Sequence, residues 1–493
     1  MTQSRLECER EPRLLAHFRC YALALAAFLT LPSFSADNPN IVFILADDLG
    51  WSDLGCYGSD WLETPRLDQL AAEGLRFTHA YSPAPICSAS RAATLTGRTT
   101  ARNKFEFVTK NKPGRQDFGA PMKTPPLTLD LDLKLLTIPE VLRHAGYETA
   151  FFGKWHLNQH HERYLGWSPT HGPKNHGFET AVEDFGNHPY SYWGDKEKRS
   201  FLDLPEGDFG EDSMTQRAVD FVKQDHENPF FLMVSHFYVH DPNHTRLGWL
   251  HRNYLDKIPE DHPRRDILAH YGAMVTALDH HVGEVLDAIA DAGIADSTLV
   301  VFTSDNGGHP NYAGNNPLRG SKWNLYEGGI RVPMIARWPG EIPAGTSTDT
   351  PVVGYDLLPT FAKLVSLPVP ANVDGRAIDK IFRDPAETTY TRPIFWHFPY
   401  YHPEGEKFTN APEAIGIDDG YTSKTQPQSA IRHGDWKLIH FYESNRDELY
   451  HLAKDPAEQN DLSHTNPGKA ESLRRELNRY LETVNARLPT PGN

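Results

Sequence analysis

Residues 41–46, Ile-Val-Phe-Ile-Leu-Ala, form an unbroken apolar run that ends in Asp47-Asp48. A short run of this kind, without polar alternation, reads as a strand covered on both faces, as in a parallel sheet. Residues 299–303, Leu-Val-Val-Phe-Thr, repeat the arrangement and end in Ser304-Asp305-Asn306-Gly307-Gly308. Residues 148–152, Glu-Thr-Ala-Phe-Phe, run into Gly153-Lys154-Trp155-His156, and the stretch from Phe230 to Val239 runs into His240-Asp241-Pro242. Ligands of open parallel sheets bind beyond the carboxyl ends of the strands, so these four endings are expected to face one crevice.

Helical patterns lie between the strands. Thr64-Pro65-Arg66-Leu67-Asp68-Gln69-Leu70-Ala71-Ala72-Glu73-Gly74 combines a capping residue, proline at the first helical position and a glycine stop. Residues 138–146 share this layout, and Ile267 to Ala292 is a longer amphipathic segment. Strand and helix alternate from residue 40 to about 365, which predicts an α/β fold with a large, mostly parallel sheet flanked by helices. Beyond Pro368 the texture changes to short strand-like pieces at 394–398, 430–432, 436–440 and 448–450, followed by an amphipathic stretch from Lys469 to Arg487. A smaller C-terminal antiparallel sheet plus helix fits this part, and residues 403–428 read as a loop or insertion. The expected organisation is a leader at 1–36, a catalytic domain at 37–375 and a C-terminal α+β subdomain at 385–493.

The leader reading rests on Arg10, Arg13 and Arg19 ahead of an apolar stretch from Tyr21 to Leu31, with small residues suited to cleavage after Ser35 or Ala36. The apolar run is too short to span a bilayer comfortably, so the chain is expected to be exported to periplasm, cell surface or medium with no stable membrane span. Of four cysteines only Cys56 and Cys87 follow the leader, too few for a disulfide framework. Across 493 residues, 23% are charged and 39% hydrophobic, an ordinary globular balance, but the formal net charge is −16 at pH 7. That charge excludes nucleic acid or an anionic membrane surface as the main partner, because either would repel the whole molecule.

Cys87-Ser-Ala-Ser-Arg91-Ala-Ala-Thr-Leu-Thr-Gly-Arg98 places a thiol at a helix start with an arginine one turn on. Free N–H groups, the helix dipole and the guanidinium all favour an anion there, so a reactive thiol is expected, set against the plainer reading of an inert buried cysteine. Asp47, Asp48, Asp305 and Asn306 supply oxygen donors alone, which select Ca²⁺ or Mg²⁺ over zinc. The plainer reading is that these residues cap helices and turns, but two adjacent carboxylates are costly together without a cation. Lys154, His156, His240 and Lys322, with Arg91, would add a cationic pocket suited to a tetrahedral oxyanion ester.

With these residues the chain resembles a type I sulfatase of the alkaline phosphatase superfamily. The likeness runs from about residue 38 to 463 and includes residues 40–51, the 87–98 signature, Gly153-Lys-Trp-His-Leu, Thr303-Ser-Asp-Asn-Gly-Gly, Arg319-Gly-Ser-Lys322, Glu327-Gly-Gly-Ile-Arg-Val-Pro and, near the C-terminus, segments 431–439 and 448–458. The resemblance implies that Cys87 is oxidised to Cα-formylglycine by a formylglycine-generating maturation enzyme. It also implies that Asp47, Asp48, Asp305, Asn306 and the modified Cys87 hold one calcium ion, with magnesium the lesser choice. Arg91, Lys154 and Lys322 would then balance charge on sulfate oxygens, His240 with Lys322 would protonate the departing oxygen, and His156 would help expel sulfate. Alanine stands at Ala89 where the family usually has proline, which bears on maturation and removes no catalytic group. His236 and His244 compete with His240 for its role, and the His-x-Pro context favours His240.

A sulfated saccharide or an aryl sulfate is the substrate class implied. Asn103, His188, His309, His397 and His402 are candidates for contacting it, together with the aromatic stretches at 188–193 and 397–402. Rival readings are a phosphodiesterase or phosphonate monoester hydrolase on the same fold, a non-catalytic sulfated-glycan binder, and a thiol redox protein, for which Cys56 is the distant second thiol.

Overall fold

The structure is a computed structural model that describes residues 38–115, 120–387, 391–401 and 425–492. The expected leader at 1–36 and His402 lie outside these residues, as does most of the 403–428 insertion. Ten strands precede residue 354: β1 (Asn40–Ala46), β2 (Leu75–Tyr81), β3 (Met122–Lys123), β4 (Glu148–Gly153), β5 (Thr180–Val182), β6 (Phe230–Ser235), β7 (Thr298–Ser304), β8 (Arg331–Arg337), β9 (Thr346–Thr348) and β10 (Val352–Val353). Nine of them form one sheet in the order β10-β2-β8-β7-β1-β6-β4-β5, with β9 beside β2. Strand β1 is parallel to β6 and β7, and β4 is parallel to both β5 and β6. Strand β8 is antiparallel to its neighbours β2 and β7.

The unbroken apolar runs follow from burial on both faces. Along β1, Val42, Ile44 and Ala46 pack on one side with α1 (Pro65–Ala72), the later helix Arg265–Asp291 and Phe152 of β4. Ile41, Phe43 and Leu45 pack on the other with Leu142, Leu357 and Phe361. The side-chain period of two divides the strand between two cores. Full burial of five large side chains from Ile41 to Leu45 contributes on the order of 7–15 kcal/mol.

Helix α1 begins at Pro65 as expected, but Thr64 does not cap it. Thr64 Oγ1 instead accepts from Gly55 N and donates to Asp68. The free amides of Arg66 and Leu67 donate to Asp279, which reaches across from the 265–291 helix. A tertiary carboxylate thus replaces the local cap.

In the C-terminal part β11 (Pro393–Phe398), β12 (Gln428–His433), β13 (Trp436–Phe441) and β14 (Arg446–His451) form an antiparallel meander. Its Ile431, Leu438 and Leu449 pack on Leu473, Leu477 and Leu481 of the helix Pro467–Thr483. Trp396, Phe398, Ala430 and Ile439 belong to a second cluster with Ile86, Ala89, Trp323 and Tyr326. The large sheet, the antiparallel meander and its helix match the expected fold. Strand β15 (Thr490–Pro491) pairs with β3. Among the described residues no helix is long and apolar enough to cross a membrane.

A buried ion cluster joins the meander to the segment after β7. Lys437 Nζ lies 2.9 Å from both Glu327 Oε1 and Glu458 Oε1, and all three residues are fully buried. Tyr81 donates to Glu327 Oε2 at 2.7 Å, and Glu327 N donates to Glu458 Oε2 at 2.6 Å. Removing the shared cation leaves two buried carboxylates facing each other. Lys437→Ala is expected to cost about 3–5 kcal/mol of stability, measured by urea unfolding, whereas an unchanged midpoint would contradict this account.

Candidate active site

Strands β7, β1, β6 and β4 stand side by side, so the four endings read from the sequence emerge in one row. The backbone ladder continues one residue beyond the strands. Asp305 N donates to Ala46 O at 3.1 Å, His236 N to Leu45 O at 2.9 Å, and Lys154 N to Ser235 O at 2.8 Å. Gly153 has φ +107°, and a Cβ there would lie 2.0 Å from Ser235 O, so only glycine allows β4 to end this close to β6.

Helix α2 (Cys87–Thr96) carries Cys87 at its first position and Arg91 one turn on, every residue buried. Arg91 Nε donates to Asp305 Oδ2 at 2.8 Å, Nη1 donates to Lys154 O at 2.8 Å and to Ser235 Oγ at 2.5 Å, and Nη2 lies 2.7 Å from Asp305 Oδ2. One guanidinium therefore ties α2 to the ends of β7, β4 and β6. Burial first, then the carboxylates of Asp305 and Asp47, push the Cys87 thiol well above its ordinary range, and Sγ–H donates to Asp47 Oδ1 at 3.3 Å. The hydrogen bonds of Arg91 go to Asp305, Lys154 and Ser235 instead of the sulfur.

Asp47, Asp48 and Asp305 are buried beside three buried cations, Arg91, Lys154 and Lys322. Lys154 Nζ pairs with Asp47 Oδ2, and Lys322 Nζ lies 2.5 Å from Asp48 Oδ2. Burial works to raise Asp47, but Lys154, His240, Arg91 and Lys322 together hold it well below the ordinary carboxylate range. Asp305 goes the other way, raised by burial and by Asp47 against the pull of Arg91 and Lys154. Asp48 sits at φ +63°, and its amide donates to Asp305 Oδ1 at 3.2 Å.

Asn306 Nδ2 donates to Asp48 Oδ1 at 2.7 Å and to Gly307 O at 2.9 Å, whereas its Oδ1 is buried with no hydrogen-bond partner among the described residues. Asp47, Asp48, Cys87 and His240 offer donor atoms within 4.8 Å of one another. An orphaned amide oxygen beside two carboxylates fits a hard divalent cation. Arg91 occupies Asp305 Oδ2, whereas Oδ1 accepts only from the Asp48 amide and keeps a further lone pair for a cation.

A cavity of about 300 Å³ opens over this floor, lined by Cys87, His156, His240 and Lys322, and by Tyr164, Tyr190 and Trp323. His156 is buried, and neither ring nitrogen has a partner among the described residues. Burial, then Lys154 and His160, hold it well below the usual histidine range, which favours the neutral imidazole. Of the three competing histidines, His240 lines the cavity. His236 is buried at the end of β6, and His244 stacks on His270 at 4.8 Å.

The saccharide-contact candidates fare differently. His188 is fully buried, with both ring nitrogens engaged by backbone, so it cannot touch a ligand. His397 lies in β11, bonded to Ser429 Oγ and Arg487 O, and belongs to the meander. Asn103 is buried, and its Oδ1 accepts from Phe105 N. His309 stacks on Tyr312 at 4.4 Å and meets Trp323 edge-on at 5.0 Å, which places it behind the cavity wall. The sequence reading missed Lys110, Tyr164 and Asp241, which line the cavity. Asp241 adjoins His240, a signal that was available, whereas nothing local marks Tyr164.

Residues 39–367 match the Sulfatase family model, and residues 321–487 match the model of the N-sulphoglucosamine sulphohydrolase C-terminal region. The chain is 33% identical to N-acetylgalactosamine-6-sulfatase of Canis lupus familiaris, over 86% of this chain and 82% of that protein. It is 35% identical to arylsulfatase A of Homo sapiens, over 72% and 69% of the two chains. A solved structure, Ps i-CgsB in complex with k-i-k-neocarrahexaose, superposes with a TM-score of 0.69 at 26% identity, covering 90% of this chain and 93% of that one. The family model spans most of the chain, both relatives are more than 30% identical over more than two thirds of its length, and the site described above lies within the matched residues: the chain belongs to the sulfatase family, is a type I sulfatase of the alkaline phosphatase superfamily, and is an enzyme.

Proposed function

We propose that this sulfatase removes sulfate from a sulfated saccharide, with Cys87 converted to formylglycine and one calcium ion held by Asp47, Asp48, Asp305, Asn306 and the modified residue 87. The observation that carries the reading is the position of Cys87, at the cavity floor 3.3 Å from Asp47 Oδ1 and walled by His156, His240 and Lys322. The saccharide class is supported by the similar N-acetylgalactosamine-6-sulfatase and by the k-i-k-neocarrahexaose bound to the structural neighbour.

A bound divalent ion supplies positive charge that lowers the pKa of an attacking hydroxyl and offsets charge on the sulfate oxygens. The hydrated aldehyde of residue 87 carries two geminal hydroxyls, one of which attacks sulfur as Asp305 accepts its proton. Lys154 and Lys322 neutralise the sulfate oxygens in a site with little water to compete. His240 Nε2 delivers a proton to the departing alcohol oxygen. Neutral His156 then takes the proton of the second hydroxyl, so that sulfate leaves and the aldehyde returns. Arg91, fully engaged with the protein, acts by holding Asp305 and the roots of Lys154 and Ser235. Export to periplasm, cell surface or medium, after removal of residues 1–36, completes the reading.

In protein from the native host, mass spectrometry of the peptide carrying residue 87 is expected to find the aldehyde, with sulfate released from a panel of sulfated sugars. An intact thiol together with no sulfate release would overturn the proposal. Asp305→Ala is expected to abolish calcium binding by calorimetry and to lower kcat by at least about 10²-fold. Calcium bound at wild-type affinity in that variant would place the ion elsewhere.

A further inference from the structure

The aromatic segment around residue 190 meets His240, the proton donor of the proposed reaction, through two hydrogen bonds. Tyr190 OH lies 2.8 Å from His240 Nδ1, and the carbonyl of Asp241 lies 2.7 Å from the same nitrogen. A carbonyl can only accept, so Nδ1 carries hydrogen, and Tyr190 offers its oxygen as a second acceptor. The Tyr190 hydroxyl is itself hydrogen-bonded to Tyr164. From below, His188 Nε2–H donates to the backbone oxygen of His240 at 3.0 Å, and His188 Nδ1 accepts from Tyr190 N at 3.3 Å. Both nitrogens of His188 are thereby satisfied in one neutral tautomer inside a wall that includes Phe237 and Tyr238.

We propose that Tyr190 and His188 are positioning residues for His240: they hold its Nδ1–H and ring plane so that, when both nitrogens carry hydrogen, Nε2–H is the proton presented to the leaving oxygen. Such a support matters most for esters whose leaving group is a poor one, an alcohol of a sugar or an unactivated phenol, because these need the proton as the bond breaks. The inference rests on the sulfate-ester reading above and adds to it a preference for high-pKa leaving groups. Proton and bond balance as follows: the S–O bond to the alcohol breaks, its electron pair stays on oxygen, and the ring, carrying hydrogen on both nitrogens, gives its Nε2 proton to that oxygen and is left as the neutral Nδ1–H form.

The test is a leaving-group series, from 4-nitrophenyl sulfate through phenyl sulfate to 4-methoxyphenyl sulfate, run with matured enzyme. Tyr190→Phe and His188→Ala are expected to lower kcat for the two poorer leaving groups by about 10-fold, with a much smaller loss for 4-nitrophenyl sulfate and little change in KM. His188→Gln, whose amide can still donate to the His240 carbonyl, is expected to recover most of the wild-type slope. Equal losses across the series would overturn the positioning role, and Tyr190→Phe decides the matter if His188→Ala does not fold. Wild-type enzyme that releases sulfate neither from this series nor from the panel of sulfated sugars would overturn the sulfate-ester reading itself, and this inference with it.

Discussion

The buried guanidinium of Arg91 is the contact on which the site depends. Three strand ends reach it: Asp305 after β7, the carbonyl of Lys154 after β4, and Ser235 closing β6. Each of those ends also carries or precedes a group that faces the cavity. A lysine in the same place has one nitrogen on a flexible stem and cannot hold three directions at once, whereas the planar fork can. Burial of an arginine is expensive unless its charge is met, and Asp305 meets it with two contacts. The helix that delivers Cys87 is therefore held by the same residue that fixes its surroundings.

Charge balance explains the rest of the floor. Three carboxylates and three cations lie together with almost no exposure, so neither set could be buried alone. The pairing also separates the acids by environment: Asp47 is held ionised by several cations, whereas Asp305 is pushed toward its neutral form by burial and by Asp47. Two residues of one type thus acquire different proton affinities within one cluster. The protein as a whole is acidic, and its cationic surface toward the ligand is local.

Much of this was legible in the sequence because burial on both faces leaves unbroken apolar runs. Strands β1, β4, β6 and β7 announced themselves in that way, and the polar residues immediately after them marked the crevice. Strand β8 was not legible: Pro333 interrupts it and its polar ends resemble a loop. The signature cysteine was found, but a helix start and an arginine say nothing of the two carboxylates, Asp47 and Asp305, that with burial push its thiol up. Lone histidines were least readable. His188 and His397 each have one ring nitrogen bonded to a backbone carbonyl far away in sequence, which no local pattern reveals, whereas His240, marked by its His-x-Pro context, shares a wall with the sulfur.

Strand β1 pairs with residues 231–235 and 298–304, so its hydrogen bonds close loops of roughly two hundred residues or more. Loop closure of that length must precede any reward from the contacts, which slows folding. The central strand therefore cannot be completed on both edges until residue 304 has emerged, and Asp47, Asp48 and Cys87 must wait for Asp305 and Lys322 to arrive. In time as well as in space the floor is assembled last, from pieces synthesised first and pieces synthesised much later.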